Sequence, residues 1–195
     1  MRLRGAIFIS GRGSNMRALL EASREPAFPL TFVLVVSDRE AEGLAAAREF
    51  GVEAFSIPWN KGAAIPAIQH ALESRGVDWV CLAGFMRILP AGFVARWKGR
   101  MLNIHPSLLP AFKGLHAIGQ ALRAGVIETG CTVHWVEPDV DAGPTVLQAR
   151  VPVHAGDTAE TLAARIHAAE HALYPEAVKL AVTQSLRGDP KHDPH

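Results

Sequence analysis

Cysteine is nearly absent from this chain, with two residues, Cys81 and Cys131, among 195. Each lies inside a short apolar run and neither belongs to a C-x-x-C pair. That excludes a disulfide framework and points to reduced core thiols in a cytoplasmic protein. Surplus charge is missing as well. The formal net charge is +1 and the basic residues are scattered, so there is no electrostatic footprint for nucleic acid or a membrane surface. Long apolar runs are the third absence, for none approaches the roughly 20 residues that span a bilayer. The opening Met1 to Ser10 resembles a signal peptide, but its stretch Ala6-Ile7-Phe8-Ile9 gives way to Ser10-Gly11-Arg12-Gly13, too soon for a secretory segment. What remains is the chemistry of small molecules.

The chain is 49% hydrophobic, enough for one sizeable core and short for two ordinary domains. A single domain over 1–195 is expected, with about 187–195 as a loose tail. Short apolar strand candidates recur at Ala6 to Ser10, Leu30 to Ser37, Glu53 to Ile57, Trp79 to Ala83 and Met101 to Ile104. Between them, Asn15 to Ser23, Gly43 to Phe50, Ala63 to Arg75 and Pro90 to Trp97 carry apolar residues at helical spacing. Repeated βα units of this kind imply an α/β, Rossmann-like, mostly parallel sheet with helices on both faces. From Gly130 the pattern changes. Cys131 to Val136 and Thr145 to Val153 read as strands joined by the turn-rich Glu137 to Pro144, a hairpin-like C-terminal β extension. A final helix is expected near Thr158, with Asp157 and Glu160 as its capping box and Pro175 ending or kinking it.

The segment Met101 to Pro110 is the most telling. It delivers Asn103 and His105, two apart and so on one face of a strand, to the start of a Pro-punctuated loop. An amide donor beside an imidazole can stabilise an oxyanion and move a proton, and Asp141 downstream supplies a carboxylate. The three suggest acyl-type transfer through a tetrahedral intermediate. Ser10 to Met16 forms a glycine loop that opens a helix, where free N–H groups favour an anion. It lacks the third glycine of G-x-G-x-x-G and any Walker lysine, so a simple phosphate fits better than a dinucleotide; the bland alternative is a βα turn capped by Ser14 or Asn15. In Leu82 to Pro90, Met86, Ile88 and Leu89 could line a slot for a flat aromatic group, with Arg87 closing one end, or simply pack a strand-to-helix loop. His167-Ala168-Ala169-Glu170-His171 matches H-x-x-E-H, but a zinc site needs a further ligand downstream, and the short stretch after His171 offers little. No metal is expected. His134 lies on a strand, in at most a supporting position.

Taken in order, Ile9 to Asn15, Leu82 to Leu89, Asn103 to Pro110, Gly130 to His134, Asp141 to Pro144 and Glu170 to Pro175 resemble the phosphoribosylglycinamide formyltransferases. These are the folate-dependent glycinamide ribonucleotide transformylases of purine synthesis. The similarity covers about residues 5–180. It implies the formyltransferase fold, with 10-formyltetrahydrofolate as co-substrate and 5-phosphoribosylglycinamide as acceptor. Gly13, Ser14 and Asn15 would hold the ribonucleotide phosphate and Glu170 would contact the glycinamide substrate, which displaces the zinc reading. Met86, Arg87, Ile88 and Leu89, with Glu137, Val140 and Asp141, would hold the pterin, and Asn103, His105 and Asp141 would be the catalytic trio. Asn103 and His105 would donate to the developing oxyanion, with Asp141 as the counter-charge of His105.

The chain also departs from the family pattern. His167 stands where Gln or Lys is more familiar in contact with substrate, Arg12 replaces Asn in the phosphate loop, and Trp59-Asn60-Lys61-Gly62 looks shortened. Lys61 would substitute there for a basic residue that meets the folate tail. Methionyl-tRNA formyltransferases and formyltetrahydrofolate deformylases share the Asn-His-Asp core but carry additional domains. A hydrolase of 10-formyltetrahydrofolate, a formyltransferase to another amine, and a non-catalytic folate or nucleotide binder remain the alternatives, as a monomer or homodimer.

Overall fold

The computed structural model describes residues 2–188, apart from the side chain of Lys61. Five parallel strands lead the chain: β1 (Leu3–Ile9), β2 (Leu30–Ser37), β3 (Glu53–Ser56), β4 (Trp79–Leu82) and β5 (Met101–His105). They alternate with α1 (Ser14–Ala22), α2 (Glu42–Glu49), α3 (Lys61–Ser74) and α4 (Ala91–Arg96). Then follow α5 (Ala117–Ala124), β6 (Glu128–Trp135), β7 (Thr145–Pro152) and α6 (Ala159–Leu186). The sheet order is β3-β2-β1-β4-β5-β6-β7. β6 runs antiparallel to β5 and β7 antiparallel to β6, so the expected hairpin continues the main sheet through β5.

The period-2 alternation of the strands divides the core. Ile7 and Ile9 face Met16, Leu19, Leu44, Tyr174 and Val178 of α1, α2 and α6. Ala6 and Phe8 face Ile68 and Leu72 of α3, Phe93 and Val94 of α4, and Trp97 just after it. Burial on both faces is what lets parallel strands read as continuous apolar runs. Tyr174 locks α6 to the sheet, its buried hydroxyl lying 2.9 Å from the carbonyl of Leu82 and 3.2 Å from that of Leu102.

The expected cap of α6 changes, and of the two outcomes expected at Pro175 an end to the helix is ruled out. Its cap is Thr158, whose side chain accepts the Thr161 N–H at 3.2 Å while Thr161 Oγ1 accepts the Thr158 N–H at 3.0 Å. Asp157 is drawn elsewhere, to the His154 N–H and a two-pronged grip by Arg165. Pro175 does not end the helix, which continues to Leu186. Ala177, Val178, Ala181 and Val182 beyond it are all buried, and that packing offsets the backbone hydrogen bond a proline forgoes. The helix α5 has no start signal in the sequence: its N-cap His116 sits at φ 59 with no side-chain cap.

Candidate active site

Ligands in open α/β sheets bind beyond the carboxyl ends of the strands, and two adjoining cavities open there. The larger, about 490 Å³, is lined by Gly84 to Leu89, Asn103 to His105, Gly114, Leu115, His134 and Val136 to Asp141. The smaller, about 300 Å³, is lined by Ser10 to Asn15, Arg39, Ala83, Gly84, Met86, Ile104, Pro106, His167 and Glu170. Gly84, Met86 and Ile104 belong to both walls.

The three residues at the heart of the larger cavity reach it by different routes. Strand alternation turns Leu102 and Ile104 toward one core and leaves Asn103 and His105 on the opposite face. Asp141 comes from the loop after β6 and adopts φ 50, a left-handed backbone that aspartate tolerates better than most residues. That loop folds back closely: a Cβ on Gly143 would stand 1.8 Å from the Trp135 carbonyl oxygen, so only glycine fits.

Asp141 Oδ2 accepts the Gly114 N–H at 2.8 Å and lies 3.3 Å from His105 Nδ1, while Oδ1 lies 3.5 Å from His134 Nε2. Burial pushes this carboxyl up, but the hydrogen bond with His134, the Gly114 N–H and the Coulombic pull of both histidines outweigh it. The net result is a carboxyl below its ordinary range. His105 Nε2 donates to the Phe112 carbonyl at 2.8 Å, leaving the Nδ1 edge to face the carboxylate. His134 Nδ1 donates to the Trp135 carbonyl at 2.8 Å, and its Nε2 lies 3.1 Å from Asn103 Nδ2. A carbonyl can only accept, which fixes Nδ1 of His134 as a proton carrier; Nε2 then accepts from the Asn103 amide or, with a second proton, donates to Asp141. His134, expected at most in support, is therefore a full member of the cluster. The register pairs Asn103 with His134 across β5 and β6, a relation that exists only once those strands are aligned.

Around this cluster the cavity is apolar and open. Met86 is 63% exposed, Ile88 64% and Leu115 70%, and with Val140 they form a greasy rim of the kind that marks a binding site. Leu89 and Glu137 also line it. Arg87 lines it too, but its guanidinium is turned to Asp38, with Nε 2.5 Å from Oδ2. The side chain of Lys61 lies outside the described residues.

In the smaller cavity, α1 begins after Gly13, which sits at φ 72 and serves as the N-cap without a side-chain cap. Neither Ser14 nor Asn15 caps the helix, so the first-turn N–H groups stay available to an anion. Asn15 instead donates from Nδ2 to Glu170 Oε2 at 2.8 Å, and its Oδ1 is buried without a partner. Burial drives the Glu170 carboxyl up to about 7 against the opposing Asn15 hydrogen bond. Burial also lowers His167, helped by Arg12. Among the described residues no cluster of His, Cys, Asp or Glu is arranged to hold a metal ion, and no helix is long and apolar enough to cross a membrane.

The formyl transferase family profile matches residues 3–178. The chain is 49% identical over 191 residues to the trifunctional purine biosynthetic protein adenosine-3 of Bos taurus, a match covering 95% of this chain and 19% of that protein. It thus spans about a fifth of the length of that protein. With the phosphoribosylglycinamide formyltransferase of Escherichia coli it shares 42% identity over 174 residues, 87% of this chain and 82% of that one. Among solved structures, phosphoribosylglycinamide formyltransferase from Brucella melitensis superposes with a TM-score of 0.88 at 50% identity, covering 93% of this chain and 96% of that one. Glycinamide ribonucleotide transformylase 1 from Symbiobacterium toebii gives 0.90 at 46% identity, covering 93% and 88%.

Proposed function

We infer that this chain, which belongs to the formyl transferase family, transfers the formyl group of 10-formyltetrahydrofolate to the amino group of 5-phosphoribosylglycinamide in purine biosynthesis. The observation that carries this reading is the shared wall. A cavity with an anion-binding helix start and one with an apolar rim meet at Gly84, Met86 and Ile104, so a phosphorylated amine and a flat folate ring would meet beside Asn103 and His105. Gly13, Ser14 and Asn15 hold the phosphate. Glu170 and His167 face the rest of that substrate. Met86 to Leu89, with Glu137, Val140 and Asp141, enclose the pterin.

In the reaction the amine attacks the formyl carbon, a new C–N bond forms, and the carbonyl oxygen takes up charge. Asn103 Nδ2 carries two hydrogens; with one directed at His134 Nε2, the other is free for the oxyanion. The part of His105 in this reading is proton transfer. With Nε2 committed to Phe112, its Nδ1 edge beside Asp141 Oδ2 forms a proton relay. As the bond from the formyl carbon to the folate nitrogen breaks, the proton given up by the attacking amine is passed to that nitrogen. No side chain is covalently modified. Both cysteines are free and buried, with burial pushing each thiol up to about 12, in keeping with our proposal of a cytoplasmic protein.

The test is formyl transfer followed as appearance of tetrahydrofolate, with and without 5-phosphoribosylglycinamide and with His105→Ala as control. Turnover that requires both the acceptor and His105 is the expected result. Formyl release at the same rate without acceptor would make the chain a hydrolase, and binding without turnover a carrier.

A further inference from the structure

Asp38 directly follows β2, is 3% exposed, and takes no part in the reaction above. Its carboxylate nonetheless collects three donors. Arg39 Nη2 lies 2.9 Å from Oδ2, with Nε 3.3 Å from each oxygen, and Arg87 Nε lies 2.5 Å from Oδ2. The Ser10 hydroxyl is the third. Ser10 Oγ in turn accepts the Met86 N–H at 2.8 Å. Burial raises the Asp38 carboxyl and these hydrogen bonds more than reverse it, so the group stands as an anion between two cations.

The partners divide between the two cavities. Arg39 and Ser10 line the smaller one, Arg87 the larger, and Met86 both. Arg87 also lies over Trp59, whose ring centroid is 5.9 Å from the guanidinium carbon. We propose that Asp38 is a positioning residue for both substrates: one buried carboxylate sets Arg39 and Ser10 at the phosphate end and Arg87 and Met86 at the folate end. A carboxylate shared in this way couples its partners, because drawing Arg39 toward a bound phosphate changes the grip left for Arg87. Coupling of that kind is reciprocal between sites. A merely structural ion pair would support the fold and leave ligand affinities alone.

This inference rests on the proposed function, and equilibrium binding separates the two. The probes are ribose 5-phosphate and tetrahydrofolate, titrated into native protein, Asp38→Asn, Arg39→Gln and Arg87→Gln, with thermal unfolding recorded for each. If the native protein binds neither probe, the proposed function falls, and this inference with it. If it binds both, Asp38→Asn is expected to weaken each dissociation constant about tenfold, as for one charge-assisted hydrogen bond lost at each cavity. Arg39→Gln is expected to weaken tetrahydrofolate as well as ribose 5-phosphate, although Arg39 lines only the smaller cavity, and this arm decides the matter should Asp38→Asn not fold. Constants within about twofold of native in Asp38→Asn, or arginine variants that each affect only their own cavity, would overturn the role given to Asp38 while leaving the function intact.

Discussion

Asp141 and Glu170 are carboxylates buried in the walls of adjoining cavities, and their surroundings drive them in opposite directions. Burial raises both. Asp141 answers it with the Gly114 N–H and two imidazoles and ends below its ordinary range. Glu170 has the amide of Asn15 and rises to about 7. Depth in the protein therefore does not decide the charge of a buried acid; the number and kind of donors aimed at it do. One cavity is built around a fixed anion suited to proton relay. The other holds an acid that burial raises to about 7 against a single amide donor.

The comparison is broken most severely by Asp141→Asn, which keeps the shape and removes the charge. Turnover at neutral pH is expected to fall by about a hundredfold to ten-thousandfold, measured as acceptor-dependent formyl transfer, and near-native turnover would refute the relay. Its stability effect has a definite sign. A carboxyl lowered in the folded state stabilises the protein above its ordinary 3.8 and loses that contribution as pH falls through the folded value.

Glu170→Gln tests the opposite case. A carboxyl raised from 4.5 to about 7 costs stability as pH climbs through that window. The variant should match the native protein near the lower value and gain on it by up to about 3 kcal/mol above the upper one, read from unfolding at a series of pH values. A difference that is flat with pH would show that Glu170 is not raised. The smallest change sharpens the comparison: Asn15→Ala removes the one donor seen on Glu170. It should move the midpoint of that pH-dependent difference upward by about one unit or less, the worth of a single hydrogen bond.

Much of this was legible in the sequence, and unevenly so. The βα order, the strand before the glycine loop with the helix after it, and the delivery of Asn103 and His105 to one face follow from period-2 and period-3.6 patterns, which are local. The partners that tune the sites are not local. His134 meets Asn103 only through the antiparallel register of β5 and β6, and Asp38 meets Arg87 across 49 residues of chain. The loop helix α5 has no capping signal, although Gly125 at φ 64 closes it and Ala117, Ile118, Ala121 and Leu122 carry its apolar spacing. At Thr158 a local rule did apply and picked the wrong neighbour, because Asp157 had a stronger partner in Arg165.

The hydroxyl that Tyr174 places between Leu82 and Leu102 belongs to the chain's single tyrosine. Burial, with Cys81 beside it, holds that phenol well above its usual range. In alkaline solution a phenolate signal would thus come from molecules whose α6 has left the sheet, and Glu170 rides on that same helix. The protein carries a built-in optical gauge of whether the Glu170 wall of its smaller cavity is in place.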